Sequence, residues 1–170
     1  MNLTTTAFIA LTAMTFTSNA LAAGSDSSQP PVKTQTTKVC KKGQVWDKRR
    51  KKCLRLRSGM LSDNEVYAAA RELAYDGQYD NALKVLAVAD NPNDPRILNY
   101  KGFANRKAGR VAEGMAYYLA ALEIDPDYVL VRSYMGQAFI SSGDIKGAKA
   151  QLAEIKKRGG SDTWAYSSLS

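Results

Sequence analysis

The sequence predicts an all-α fold, a solenoid of three stacked helical hairpins with a short C-terminal capping helix, preceded by a small disulfide-linked β-hairpin. Three observations carry this expectation. Gly77, Gly109 and Gly143 recur at intervals of 32 and 34 residues, the period of a two-helix unit. Two residues after each glycine an apolar stripe begins and recurs at steps of 0, 3, 7 and 10: Tyr79, Ala82, Leu86, Ala89, then Val111, Gly114, Tyr118, Ala121, then Ile145, Ala148, Leu152, Ile155. That spacing is one face of a helix with 3.6 residues per turn. The second member is always small, Ala82, Gly114 or Ala148, which lets a neighbouring helix approach closely.

Boundary signals agree with the stripes. Ser62 and Glu65 form a capping box, Asp94-Pro95 and Asp125-Pro126 read as caps followed by proline at the first helical position, and Asp144 caps the last long helix. The three glycines fit left-handed positions at helix ends, where a missing Cβ removes the steric penalty. Helices are expected at 63–76, 78–90, 95–108, 110–123, 127–142 and 144–157. Gly159-Gly160 breaks the chain before a short helix with Trp164, Tyr166 and Leu169, whose aromatics are placed to cover the exposed end of the stack.

The segments before the repeats differ in character. Residues 1–23 hold no Lys, Arg, Asp or Glu and include Ala20-Leu21-Ala22, an A-x-A cleavage pattern, so 1–22 is expected to be a secretory signal peptide. Its apolar run is interrupted by Thr12, Thr15, Thr17 and Ser18 and falls short of the roughly 18 residues that span a membrane. Residues 23–37, rich in Ser, Thr, Gln and Pro, are expected to be a flexible linker. Export places the protein in the periplasm or outside the cell, where two cysteines favour one bridge, Cys40 to Cys53. A turn at Asp47 to Arg50 makes residues 38–57 a basic hairpin, and closing a loop of this length stabilises it by roughly 3 kcal/mol. The repeats then occupy 62–158 and the cap 159–170.

Charge is divided sharply. Residues 58–170 hold thirteen Lys or Arg and fourteen Asp or Glu, a net of −1, whereas 33–57 hold eleven basic residues and one acid, a net of +10. The whole-chain value of +8 therefore describes one segment. Lys41, Lys42, Lys48, Arg49, Arg50, Lys51 and Lys52, with Trp46 among them, form a candidate anionic-surface site. The partners considered are phosphate-rich lipid heads, acidic glycans and, least expected after export, nucleic acid. The alternative is that the run merely keeps the segment solvated, and Trp46 either packs on the bridge, stacks on a sugar or anchors at a membrane interface. With no histidine in the chain, imidazole-based triads and zinc sites are excluded. No enzyme activity and no cofactor are expected.

The repeats resemble the tetratricopeptide repeat family. The second carries Leu98, Gly102, Gly109, Gly114, Tyr118, Ala121 and Leu122-Glu123-Ile124-Asp125-Pro126, and the third Met135-Gly136, Phe139, Gly143, Ala148 and Leu152. The first departs from the pattern, with Ala70 at the helix-packing glycine and Asn91-Pro92-Asn93-Asp94-Pro95 at the turn, which implies a looser or differently angled joint. Together with the leader, the repeats resemble exported tetratricopeptide proteins of Gram-negative bacteria. The resemblance implies a concave groove that takes a protein or peptide partner, presenting Tyr67, Arg71, Asn99, Phe103, Arg106, Ser133 and Gln137. Tyr100, Leu130 and Tyr134 stand where a carboxylate clamp needs Asn and Lys, so recognition of chaperone tails is not implied. Cys40-x-x-Gly43-x-x-Trp46-Asp47…Cys53 also resembles half of a small chitin-binding type module. The two functional expectations are a groove-based adaptor in the cell envelope and a surface- or glycan-binding protein acting through the basic hairpin.

Overall fold

The computed structural model describes residues 31–41 and 43–170. The expected signal peptide, the linker as far as residue 30 and Lys42 lie outside the described residues. Six long helices follow a small N-terminal unit: α2 (Asp63–Tyr75), α3 (Tyr79–Leu86), α4 (Pro95–Lys107), α5 (Val111–Ile124), α6 (Val129–Ser141) and α7 (Ile145–Lys157). Ahead of them stand α1 (Gln35–Lys38), β1 (Gln44–Asp47) and β2 (Lys52–Arg55), and α8 (Trp164–Ser167) ends the chain. Among the described residues no helix is long and apolar enough to cross a membrane.

The N-terminal unit is more ordered than its composition predicts. Residues 33–37 were expected to belong to a flexible linker; instead Thr34 caps α1, and the Glu72 carboxylate of α2 gathers this turn. The Thr34 N–H and hydroxyl donate to it at 2.6 and 2.7 Å, and the Thr37 hydroxyl at 2.6 Å. Such charge-assisted bonds are about twice as strong as neutral ones. Polar composition suggested solvation, but these hydroxyls find a buried acceptor distant in sequence. The hairpin has the expected turn: β1 and β2 pair antiparallel from Gln44 opposite Arg55 to Asp47 opposite Lys52, and Cys40 is bonded to Cys53. Val45 is buried with the helical core, which fastens the hairpin to the repeats.

Most helix boundaries follow the local signals. At α2 the Ser62 hydroxyl accepts the Glu65 N–H while the Glu65 carboxylate accepts the Ser62 N–H, completing the capping box. Asp94 accepts the Arg96 N–H at 2.8 Å with Pro95 opening α4, and Asp144 accepts the Gly147 N–H at 2.8 Å. Two boundaries need correction. Helix α3 stops at Leu86 and not at 90, because the Asp63 carboxylate takes the N–H groups of Asp90 and Asn91 at 2.8 and 3.0 Å, an alternative to helical bonding. Helix α6 starts at Val129 and not at 127: the Asp125 side chain accepts the Asp127 N–H at 3.1 Å, so this Asp-Pro pair makes a turn that is not the α6 cap.

The helices nest in consecutive pairs, α2 on α3, α4 on α5 and α6 on α7, with α3 against α4 and α5 against α6 joining the pairs. Helices α2, α4 and α6 form one layer, and α8 packs on α6 and α7. Along the stripes Ala82, Leu86, Gly114, Tyr118, Ala121, Ala148 and Ile155 are buried and Ala89 and Leu152 half-buried, while Val111 and Ile145, the first residues of their helices, stay 46 % and 52 % exposed. Closest approach falls where the small residues predicted it. A Cβ built at Gly114 would stand 2.8 Å from the Gly102 carbonyl oxygen and 2.9 Å from the Arg106 nitrogen, so α4 and α5 meet backbone to backbone.

Two outcomes test this packing. Gly114→Ala gains about 1 kcal/mol of helix propensity but overpacks against backbone, at about 1–3 kcal/mol. Thermal unfolding followed by circular dichroism should therefore show a lower midpoint, and a raised midpoint would mean the helices stand further apart. Glu72→Ala removes the acceptor that holds Thr34 and Thr37. Chymotryptic cleavage after Trp46 should accelerate by about tenfold or more, since charged hydrogen bonds contribute about 1.5–3 kcal/mol, while the helical content stays unchanged.

Candidate interaction surfaces

Helices α2, α4 and α6 place the seven expected groove residues along one layer, but not all on an open surface. Asn99 and Ser133 are fully buried and Phe103 is 6 % exposed. The cause for Ser133 is α8: the Ser133 hydroxyl lies 2.9 Å from that of Ser168, and Leu169 sits directly over Gly136. Asn99 faces inward, its amide donating to the Tyr128 hydroxyl at 3.5 Å. These three residues build the layer and do not line it.

What fills the layer is an aromatic ladder. The Tyr67 ring meets Tyr100 edge-on at 5.5 Å, Tyr100 meets Tyr134 at 6.3 Å, and Tyr134 meets Trp164 of α8 at 6.2 Å, so the ladder runs through all three hairpins into the cap. Phe103 lies between, 5.6 Å from Tyr75 in a stacked pair and 4.9 Å from Tyr134. Edge-to-face and offset pairs of this kind contribute about 0.5–1.5 kcal/mol each beyond their burial. Two of the hydroxyls also meet: those of Tyr75 and Tyr134 are 2.9 Å apart although 59 residues separate them in sequence. Burial pushes the Tyr118 phenol up to about 12 and raises that of Tyr134 further, so both remain neutral.

Cations rim the ladder. The Arg71 Nε donates to the Tyr100 hydroxyl at 3.2 Å and its guanidinium stands 5.6 Å from the Tyr75 ring centre. The Arg106 Nε donates to the Tyr118 hydroxyl at 3.3 Å, and its Nη2 reaches the Gln137 amide oxygen at 3.4 Å. Arg106 and Lys107 both approach the Phe103 ring, at 5.7 and 5.9 Å, as cations favour an aromatic face. Of the other cations on α4 and α6, Arg96 pairs with Asp94, Lys101 stands 5.8 Å from the Tyr117 ring of α5 and Arg132 donates to the Pro126 carbonyl at 2.8 Å. Sequence reasoning missed Tyr75 and Lys107. Tyr75 was within reach of the same pattern, continuing the four-residue step from Tyr67 and Arg71.

The second surface is the hairpin. Lys48, Arg49, Arg50, Lys51 and Lys52 are all exposed, as is Lys41. Asp47, buried beneath them, accepts the N–H groups of Arg49 and Arg50 at 2.8 and 3.0 Å and pairs with the Arg50 guanidinium at 3.2 Å. Trp46 is half-buried, its N–H donating to the Thr36 hydroxyl at 3.1 Å, and it borders a cavity of about 170 Å³ with Thr34, Thr36, Leu61, Glu65 and Ala68.

Stacked helical hairpins are common to several repeat families, and one of these matches part of the chain. Residues 105–169 match the family described as Tetratricopeptide repeat. The match runs from the last turn of α4 through α5, α6, α7 and α8, well under half of the chain. No curated protein and no solved structure matches. Tetratricopeptide repeats generally mediate protein–protein interaction and are typically non-catalytic scaffolds.

The carboxylates make the fold sensitive to acid. Asp47 is held below the usual range chiefly by the Arg50 N–H, Glu65 by the Ser62 N–H, Asp76 by the Gln78 amide and Lys33, and Glu154 by Arg158. Burial alone would raise Asp94, but Arg96 outweighs it and the net shift is downward; Asp125 is raised by burial. A depressed carboxylate binds fewer protons folded than unfolded, so its stabilisation is complete above about pH 4 and is lost as pH falls through its lower folded value. Asp125 acts in the opposite sense and is outnumbered. The unfolding midpoint is expected to stay level between about pH 7 and 5 and to drop below about pH 4; a midpoint that rises in acid would show these pairings to be absent.

Proposed function

We propose that the repeats form a protein-binding scaffold of the cell envelope, whose α2–α4–α6 layer takes an extended acidic segment of a partner. One observation carries this reading: the Arg71, Arg106 and Lys107 cations stand 5.6, 5.7 and 5.9 Å from the centres of the Tyr75 and Phe103 rings. Guanidinium groups hold carboxylates by paired hydrogen bonds, and the partly exposed Tyr67, Tyr75 and Trp164 rings, already packed, lose little freedom when a chain lies across them. Half-exposed Arg71, Tyr75, Arg106 and Gln137, with exposed Lys107, form the contact edge. Asn99, Phe103 and Ser133 support it from beneath.

Placement in the envelope is supported by the uncharged leader ending in Ala20-Leu21-Ala22 and by the Cys40–Cys53 bond, a linkage that persists outside the reducing cytosol. The partner class follows from charge and shape; its identity is left to capture. Arg106→Gln with Lys107→Gln is the direct test, since it removes charge at the rim and leaves Phe103 in the core. Crosslinking in the native compartment, followed by recovery of trapped partners, should give a loss of about fivefold or more relative to the unaltered protein, the effect of removing about 1 kcal/mol of interaction. Equal recovery of the same partners from both proteins would refute the rim as the contact.

A further inference from the structure

The basic hairpin is not absorbed by this scaffold role, and its construction points to a use of its own. Five consecutive cations, Lys48 to Lys52, occupy the turn between β1 and β2 and its immediate edge, all exposed. Among the described residues only Arg50 of these five forms an ion pair, with Asp47. Elsewhere acids offset the cations in number, with a net of −1 over residues 58–170, and Lys33 pairs with Asp76, Arg96 with Asp94, Arg110 with Asp80 and Arg158 with Asp127. Charge concentrated on one turn raises the energy of the folded state through self-repulsion, and an opposing anionic surface relieves it.

The turn is also mounted firmly. The Cys40–Cys53 bond ties β2 to the end of α1, the Thr36 hydroxyl accepts the Trp46 N–H, Val45 is buried with the core, and Glu72 holds Thr34 and Thr37. A segment that only kept the chain solvated would need none of these fastenings. The cations stand on the outside of a turn and do not converge on one point, so they suit a broad field of negative charge better than a single phosphate. A further feature distinguishes the kinds of polyanion. Val39, 60 % exposed, adjoins Cys40, and the Cys40–Cys53 bond places it on the same hairpin as Lys52. Exposed apolar side chains next to clustered cations match a bilayer interface, where headgroup charge and acyl boundary lie together. A nucleic acid or a sulfated glycan offers the charge alone.

We propose that the hairpin docks the protein on a membrane surface rich in anionic lipid, with Lys48, Arg49, Lys51 and Lys52 supplying the attraction. This docking is independent of the groove, so loss of one leaves the other in place.

The test is co-sedimentation of the full chain with vesicles of phosphatidylcholine alone and of phosphatidylcholine with about 30 % phosphatidylglycerol. Binding is expected to the second and not to the first, and to weaken when salt is raised from about 50 to about 500 mM. The variant Lys48→Gln, Arg49→Gln, Lys51→Gln, Lys52→Gln, which spares the Arg50–Asp47 pair, should lose at least about tenfold in partitioning with unchanged circular dichroism and unfolding midpoint. Arg49→Lys, which keeps the charge, should bind as the unaltered chain does. Comparison of variant and parent cancels any contribution of residues 1–22. Equal sedimentation of the folded quadruple variant, equal binding to both vesicle types, or charge-dependent binding to a DNA duplex with no binding to anionic vesicles would each overturn the proposal.

Discussion

No hairpin in this chain can bury its apolar stripe unaided, and the arrangement of the molecule follows from that need. Each of the three pairs hides its stripe against its own partner and then against the next pair, which leaves one open face at each end of the stack. The two ends are closed by different means. At the C-terminus α8 lays Leu169 over Gly136, sets Trp164 against Tyr134 and joins Ser168 to Ser133. At the N-terminus a disulfide-closed hairpin inserts Val45 and is pinned through α1 to Glu72. The polar clasp is strong because its acceptor is a buried carboxylate, which would be costly to leave unpaired.

The repeats were legible because their information is local. A glycine at a positive φ, an apolar stripe at helical spacing and a capping side chain each act within a few residues, and φ values of +79°, +87° and +81° at Gly77, Gly109 and Gly143 bear out that reading. What escaped was contact between distant parts of the chain. Residues 33–37 look like a tether until Glu72 is brought beside them. Two identical Asp-Pro pairs took different roles: Asp94 bonds to the N–H two residues on and opens α4, whereas Asp125 makes the same local bond within a turn that ends α5. The site was read in part for the same reason. Helical spacing put Tyr67, Arg71, Asn99, Phe103, Arg106, Ser133 and Gln137 on one layer, but spacing alone does not tell which side of the layer a cap covers, nor that Tyr75 reaches Tyr134.

Charge separates two tasks within one small chain. The repeats carry a net of −1 between residues 58 and 170, yet Arg71, Arg106 and Lys107 gather against the Tyr75 and Phe103 rings. The hairpin carries the excess that gives the chain its +8. On the two proposals, a recognition layer and a basic mount at one end of the same stack would let the protein hold a partner close to an anionic surface.

The central claim is that the first hairpin is part of the stack, although the family match begins only at residue 105. Native-state hydrogen exchange tests it most directly, because stacked repeats share their unfolding equilibria. The amides of α2 and α3 are expected to be protected along with those of α4 to α7, and to exchange through a common opening. Exchange of α2 and α3 at the rate of an unfolded chain, with α4 to α8 still protected, would contradict the account.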